Sequence, residues 1–167
     1  MASYYPSITE EQAKLIQNSP VFFVATAAPT PSDISEGVGP INISPKGGAP
    51  LHILNPNRVA FLNYAGSGNE TERHSASGSP ITLMICSFEG EDAAIVRLYG
   101  QAKVMPIAES ELAQRLLETG ATAMKLTPRQ IVEIEIEKTS TSCGYGVPVM
   151  EFVRDRRTVD HGRRYKK

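Results

Sequence analysis

The chain has 167 residues, 41% hydrophobic and 21% charged, with a formal net charge of -1. These proportions suit one soluble globular domain around a single core. The near-neutral balance gives no electrostatic reason for a nucleic acid or an anionic membrane as partner, and no run of about 20 apolar residues offers a membrane span. Met1 to Pro6 lacks the charged and apolar regions of a secretory signal. Two cysteines, Cys86 and Cys143, make neither a disulfide framework nor a metal-ligand spacing, and His52, His74 and His161 are too scattered for a zinc site. The expected compartment is the reducing cytoplasm.

In chain order, Ser7 to Gln12 offers two overlapping capping boxes, Ser7 with Glu10 and Thr9 with Gln12. The spacing predicts a helix running to Asn18-Ser19, stopped by Pro20. Val21 to Ala27 is a β-prone run and the first barrel strand. Residues 28–37 are loop-like, punctuated by Pro29 and Pro31. Further strands are expected at Gly39 to Ser44, Leu51 to Leu54, Val59 to Tyr64, Ile81 to Phe88 and Ala93 to Met105, with Glu89-Gly90-Glu91-Asp92 as a hairpin turn. Ser110 to Leu117 reads as an exposed amphipathic helix with Leu112, Leu116 and Leu117 on one side and Gly120 ending it. The last strand, Gln130 to Thr139, alternates Val132, Ile134 and Ile136 with Glu133, Glu135 and Glu137. Short strands, few helices and no βαβ rhythm point to an antiparallel barrel in one domain over residues 1–167.

The densest chemistry lies in Asn63-Tyr64-Ala65-Gly66-Ser67-Gly68-Asn69-Glu70-Thr71, where a strand delivers a Gly-rich turn onto a helix start. Such a turn can cradle a phosphate, and it equally describes an ordinary N-capped loop. Glu70 and His74 are spaced to pair on one helix face. Arg97 interrupts an apolar strand and calls for an anion or a carboxylate. Cys143 reads as an inert cysteine, with a redox-active thiol as the alternative, and Cys86 reads as core. The basic cluster within residues 154–167 is either a solvated terminus or a phosphate-binding arm.

Taken in order, Gly39-Pro40-Ile41-Asn42-Ile43-Ser44-Pro45-Lys46-Gly47, the Gly-Ser-Gly-Asn-Glu-Thr turn at 66–71 with His74, Leu83 to Gly90, Arg97-Leu98-Tyr99-Gly100 and Ser142 to Pro148 resemble the flavin-binding split-barrel proteins of the pyridoxamine 5′-phosphate oxidase-like superfamily. The resemblance runs from about Val21 to Phe152. It implies a six-stranded antiparallel Greek-key split barrel with peripheral helices, a homodimer, and flavin mononucleotide (FMN) held between subunits. Carried onto this chain, Ser67, Gly68 and Asn69 would meet the phosphate and Lys46 would balance its charge. Main-chain groups of Asn42, Ile43 and Ser44 would meet the pyrimidine edge of the ring, and Asn63 and Tyr64 would lie by the ribityl chain or the phosphate. The flavin is one candidate partner for Arg97, an intersubunit glutamate the other. The Cys143–Pro148 loop would sit near the flavin at the dimer interface.

The resemblance is to the fold and flavin site rather than to the oxidase itself. True pyridoxamine 5′-phosphate oxidases carry an Arg-x-Val-Leu-Leu-Lys-type flavin strand, a tryptophan-containing dimer region and an Arg-Leu-His-Asp-Arg-like segment for the vitamin phosphate. This chain has no tryptophan, and Arg154-Asp155-Arg156 matches that segment only superficially. The expectation is therefore a flavin-dependent oxidoreductase of another small substrate, with a non-catalytic flavin carrier or sensor, or a haem- or deazaflavin-binding relative, as alternatives.

Overall fold

The computed structural model describes residues 1–30, 39–66, 68–119 and 127–156. The strands are β1 (Ser3–Tyr5), β2 (Val21–Ala27), β3 (Ile41–Gly47), β4 (His52–Asn55), β5 (Arg58–Tyr64), β6 (Ile81–Cys86), β7 (Ala94–Pro106) and β8 (Pro128–Cys143). Among the described residues three α-helices, α1 (Glu10–Asn18), α2 (Glu70–Ala76) and α3 (Ala113–Thr119), and a 3-10 turn at Ile107–Glu109 lie between them. Every strand belongs to one antiparallel sheet of order β3-β2-β6-β7-β8-β5-β4, with β1 pairing the far end of β8. This is the expected antiparallel split-barrel architecture, with eight strands in place of the six that the resemblance implied, and all seven segments expected to be strands form. The short β1 adds an eighth strand that the sequence did not mark.

Local chemistry explains the elements. At α1 the Thr9 box is the one made: the Gln12 N–H donates to Thr9 Oγ1 at 3.2 Å and the Thr9 N–H to Gln12 Oε1 at 3.1 Å. In β2 the even residues Phe22, Val24 and Thr26 are buried and face the core. There Phe22 meets Phe61 edge to face with ring centroids 5.3 Å apart. β5 is buried on both sides. Val59 and Phe61 join the main core, while Ala60 and Leu62 pack with Leu116 and Ile131 in a smaller cluster beneath α3. Leu112 joins that cluster, but Leu117 is 43% exposed. The buried side of α3 is thus carried by Ala113 and Leu116, with Leu112 just ahead of the helix and without Leu117. The expected Gly120 stop lies outside the described residues.

β7 and β8 form the backbone of the sheet, and their register slips once. Tyr99 faces Lys138, but Gly100 faces Ile136, so Glu137 is the extra residue of a bulge. The clean alternation expected through Thr139 therefore breaks at Glu137-Lys138, and Thr139 and Ser140 are both buried.

Candidate functional site

The path of the sheet ends at β3 on one side and at β4, beside β5, on the other. One side chain spans that split. Lys46 Nζ, on β3, donates to Asn63 Oδ1, at the end of β5, at 3.2 Å. Around this bridge lies a cleft of about 250 Å³ lined by Ser44, Pro45, Lys46, Asn63, Tyr64, Gly66, Gly68, Asn69, Glu70 and Thr71. Six of the residues picked from the sequence therefore converge: Ser44, Lys46, Asn63, Tyr64, Gly68 and Asn69. Ser67 lies outside the described residues.

Strand pairing decides what β3 presents. Asn42, Ser44 and Lys46 stand opposite Thr26, Val24 and Phe22 and share their inward face. The Ala28 N–H donates to the Pro40 carbonyl, which fixes the phase of the ladder. Opposed residues alternate between bonded and non-bonded pairs, so the main chains of Asn42, Ser44 and Lys46 turn toward β2. Those of Ile41, Ile43 and Pro45 turn to the open edge. Asn42 and Ser44 consequently offer side chains to the inside, and Ile43 offers its N–H and carbonyl to the edge. Its own side chain points outward and is 68% exposed. This register corrects the expectation that Asn42 and Ser44 present main-chain groups at the edge; of the three residues only Ile43 does so.

From the cleft wall inward runs a chain of half-buried and buried polar groups. Ser44 Oγ donates to Asn42 Oδ1 at 3.1 Å, and Asn42 Nδ2 reaches Thr26 Oγ1 and Thr71 Oγ1, both at 3.4 Å. Thr26 Oγ1 in turn meets His74 Nδ1 at 2.9 Å. His74 is thus turned into the barrel, 1% exposed, and does not pair with Glu70 on the helix surface. These bonds tie β3 to α2 through Thr26 and Thr71.

The electrostatics centre on Lys46. Burial, and then the nearby Arg129 guanidinium, push its pKa below the usual lysine value, against the pull of Glu70. Burial raises the pKa of Tyr64, which keeps its phenol protonated. Arg129, at the start of β8, hydrogen-bonds Asn69 Oδ1 and lies 3.7 Å from Glu72 Oε2. The sequence reading missed Arg129: it sits in a Pro-Arg-Gln strand start with no motif, and only the β5–β8 pairing brings it here.

Other expected residues lie elsewhere. Arg97 stands on the opposite face of the sheet, in the row Pro45–Phe23–Met84–Arg97–Ser140–Tyr4. It is three strands from β3, about 14 Å at ordinary strand spacing, and its guanidinium donates to Ser142 Oγ at 3.0 Å. It is not part of this cleft. The Cys143–Pro148 loop follows the far end of β8, whereas the cleft is by its start, where Tyr64 faces Pro128. His52 bonds Thr119 Oγ1 at 3.2 Å, so neither it nor His74 lines the cleft. Among the described residues, no cluster of three or more His, Cys, Asp or Glu side chains could hold a metal ion, and no helix is long and apolar enough to cross a membrane.

Comparison with known proteins decides the family. The sequence model of the family described as pyridoxamine 5′-phosphate oxidase matches residues 8–143. The chain belongs to that family. It is 29% identical over 160 residues to the pyridoxamine 5′-phosphate oxidase family protein ustO of Aspergillus flavus, an overlap of 95% of this chain and 61% of that protein. The chain therefore spans about three-fifths of the relative's length. Among solved structures it is similar to a variant of HupZ from Group A Streptococcus, with a TM-score of 0.60, 19% identity, and coverage of 81% and 99% of the two chains. It is also similar to an FMN-binding protein of Syntrophomonas wolfei, with a TM-score of 0.56, 10% identity, and coverage of 85% and 90%. At these identities the structures establish the shared split-barrel fold.

Proposed function

We propose that this member of the pyridoxamine 5′-phosphate oxidase family is an FMN-dependent oxidoreductase of a small substrate, working as a homodimer. The observation that carries the reading is the Lys46–Asn63 bridge across the split, beside the open edge of β3. The donor set fits a flavin. Lys46 and Asn69 suit a phosphate, Asn63 and Tyr64 suit hydroxyls, and the Ile43 N–H and carbonyl suit the alternating acceptors and donor of a pyrimidine edge. The FMN-binding protein of similar fold supports the same cofactor.

The size of the cleft supports the dimer. Pockets that enclose a drug-sized ligand run to about 300–1,000 Å³, and this one holds about 250 Å³. It suits the phosphate and ribityl end, leaving the ring to lie along β3 under a second subunit. The outward face there is apolar: Ile41 is 66% and Ile43 68% exposed. A strand edge that presents isoleucine to water is a candidate interface. Arg97 stands on the same outward face and would meet the partner rather than its own chain's flavin. Replacing Ile41 with lysine is expected to shift a dimer toward monomer at least about tenfold in Kd, since it removes buried apolar area and places a charge in the contact. Light scattering across a dilution series reads this. A wild-type protein that is monomeric at all working concentrations defeats the dimer.

When bound, the flavin itself supplies the electron transfer, and the residues here bind and orient it. The reading is tested by calorimetric titration with FMN, then by anaerobic mixing with reduced nicotinamide nucleotides followed by oxygen. Bleaching and reoxidation support turnover, and a bound flavin that no reductant touches favours a carrier. Failure to bind FMN removes the reading. Pyridoxamine phosphate is expected to be a very poor substrate, because Arg154-Asp155-Arg156 matches the Arg-Leu-His-Asp-Arg-like segment that grips its phosphate only superficially. Efficient formation of pyridoxal phosphate in a coupled assay would reverse that.

A further inference from the structure

Three charged groups around the Lys46 bridge are left over by the flavin reading. Arg129 stands just behind Asn69, with Nη2 on Asn69 Oδ1 and Nε donating to Gln130 Oε1 at 3.2 Å. Its guanidinium faces Glu72 at 3.7 Å, and its side chain keeps 31% of its surface exposed. Glu72 is itself fastened by Gln130 Nε2. Glu70 lines the cleft, and its Oε2 fills the space beside Gly68, 2.6 Å from where a Cβ would sit. Two cations, Lys46 and Arg129, thus share a small volume with two carboxylates, Glu70 and Glu72.

That balance has a consequence for any anion that enters. Lys46 and Arg129 together match a dianion, but with both carboxylates in place the cluster is already neutral. A phosphate would then face two like charges at close range, which costs affinity. Glu72 is held by Gln130 and Arg129, whereas Glu70, on the first turn of α2, has a rotatable side chain beside a glycine. Glu70 is the carboxylate able to turn away. Arg129 needs only to exchange Asn69 for a phosphate oxygen, because Asn69 lines the cleft and Arg129 stands behind it. Its planar fork suits a phosphate better than an amide.

We propose that Arg129 is the second cation of the Lys46 anion site, taking the ligand's phosphate in exchange for Asn69, and that Glu70 is the built-in competitor the phosphate displaces. The proposal rests on the flavin reading for the identity of the ligand, and on the charge arrangement alone for the anion. It assigns opposite effects to two neighbouring residues, which a purely structural role for either would not produce.

The test titrates FMN, riboflavin and inorganic pyrophosphate into the wild type and into Arg129→Gln, Arg129→Lys and Glu70→Gln, with circular dichroism confirming the fold. Arg129→Gln is expected to weaken FMN by about ten- to a hundredfold, the loss of one charge-assisted hydrogen bond, and to leave riboflavin unchanged. Arg129→Lys recovers part of the loss. Glu70→Gln tightens FMN by about threefold or more and leaves riboflavin unchanged. If Arg129→Gln changes FMN and riboflavin equally, or changes neither, the assignment of Arg129 is wrong. If Glu70→Gln weakens FMN, the competitor role is wrong. Should the wild type bind neither flavin, the flavin reading falls by itself. Pyrophosphate then decides the anion site: binding that is lost in Arg129→Gln upholds it, and no binding overturns it. If Arg129→Gln fails to fold, Arg129→Lys and Glu70→Gln carry the same comparison.

Discussion

Lys46→Glu is expected to lower FMN affinity by at least about a hundredfold while leaving the barrel folded. The ammonium is the donor that spans the split to Asn63, and a charge-assisted hydrogen bond to a phosphate is worth about 1.5–3 kcal/mol. The substitution removes that bond and adds a third carboxylate to a cleft that already holds Glu70 and lies beside Glu72. Riboflavin, which lacks the phosphate, should lose far less. Equal losses for FMN and riboflavin would show that Lys46 supports the wall of the cleft and does not hold the anion.

The protonation of Lys46 gives the same site a pH signature. Burial and Arg129 set its pKa below the ordinary lysine value. A bound phosphate favours the charged form and raises the pKa, so at alkaline pH binding takes up a proton. FMN affinity should therefore fall as pH rises through the lowered pKa, earlier than an exposed lysine would allow. Folding has the opposite slope. Between the lowered native value and the higher unfolded one, the unfolded chain carries more protons, so stability contributed by this group rises with pH across that window. Affinity that is flat up to the usual lysine range would contradict the placement of Lys46 at the phosphate.

The elements that sequence revealed and those it hid differ in what determines them. Seven strands were legible because each carries β-branched or aromatic residues bounded by Gly, Pro or Asn punctuation, as in Val21–Ala27 and Ile81–Cys86. β1 was not, since three residues, Ser3–Tyr5, have no period to read, and their partners lie at Thr139–Thr141. The capping boxes of α1 were visible, but the choice between Ser7 and Thr9 depends on geometry. Most of the candidate site was legible for a local reason: Ser44 and Lys46 share one strand parity, and Asn63, Tyr64, Gly68 and Asn69 fall within a few residues of one another in sequence. Arg97 could not be given a face from sequence because Ile95, Val96, Leu98 and Tyr99 are apolar on both parities. Only pairing with Met84 and Ser140 assigns it to the outward face. Arg129 and His74 were missed in their roles because their partners, Asn69 and Thr26, are 60 and 48 residues away in sequence.

The largest effect on stability is expected at Gly100, where the β7–β8 register slips. A Cβ there would run into the Glu135 carbonyl and approach the Ile136 Cα at 3.1 Å. Both are backbone atoms in the central ladder, so no side-chain rotation relieves the clash. Room can be made only by parting the two longest strands, which carry Val96, Leu98, Ile134 and Ile136 in the main core. Forcing even one methyl into a packed site costs about 1–3 kcal/mol, against a total stability of about 5–15 kcal/mol. Gly100→Ala is accordingly expected to lower Tm by roughly 5–10 °C, and Gly100→Val, with two further methyls against the same carbonyl, to prevent accumulation of soluble protein. Gly90 is the matched control, because nothing lies within 4 Å of a Cβ built there. Gly90→Ala should stay within about 0.5 kcal/mol of the parent. Thermal unfolding followed by circular dichroism separates the cases, and a Gly100→Ala protein that melts with Gly90→Ala would mean that the ladder relaxes around Glu137 at little cost.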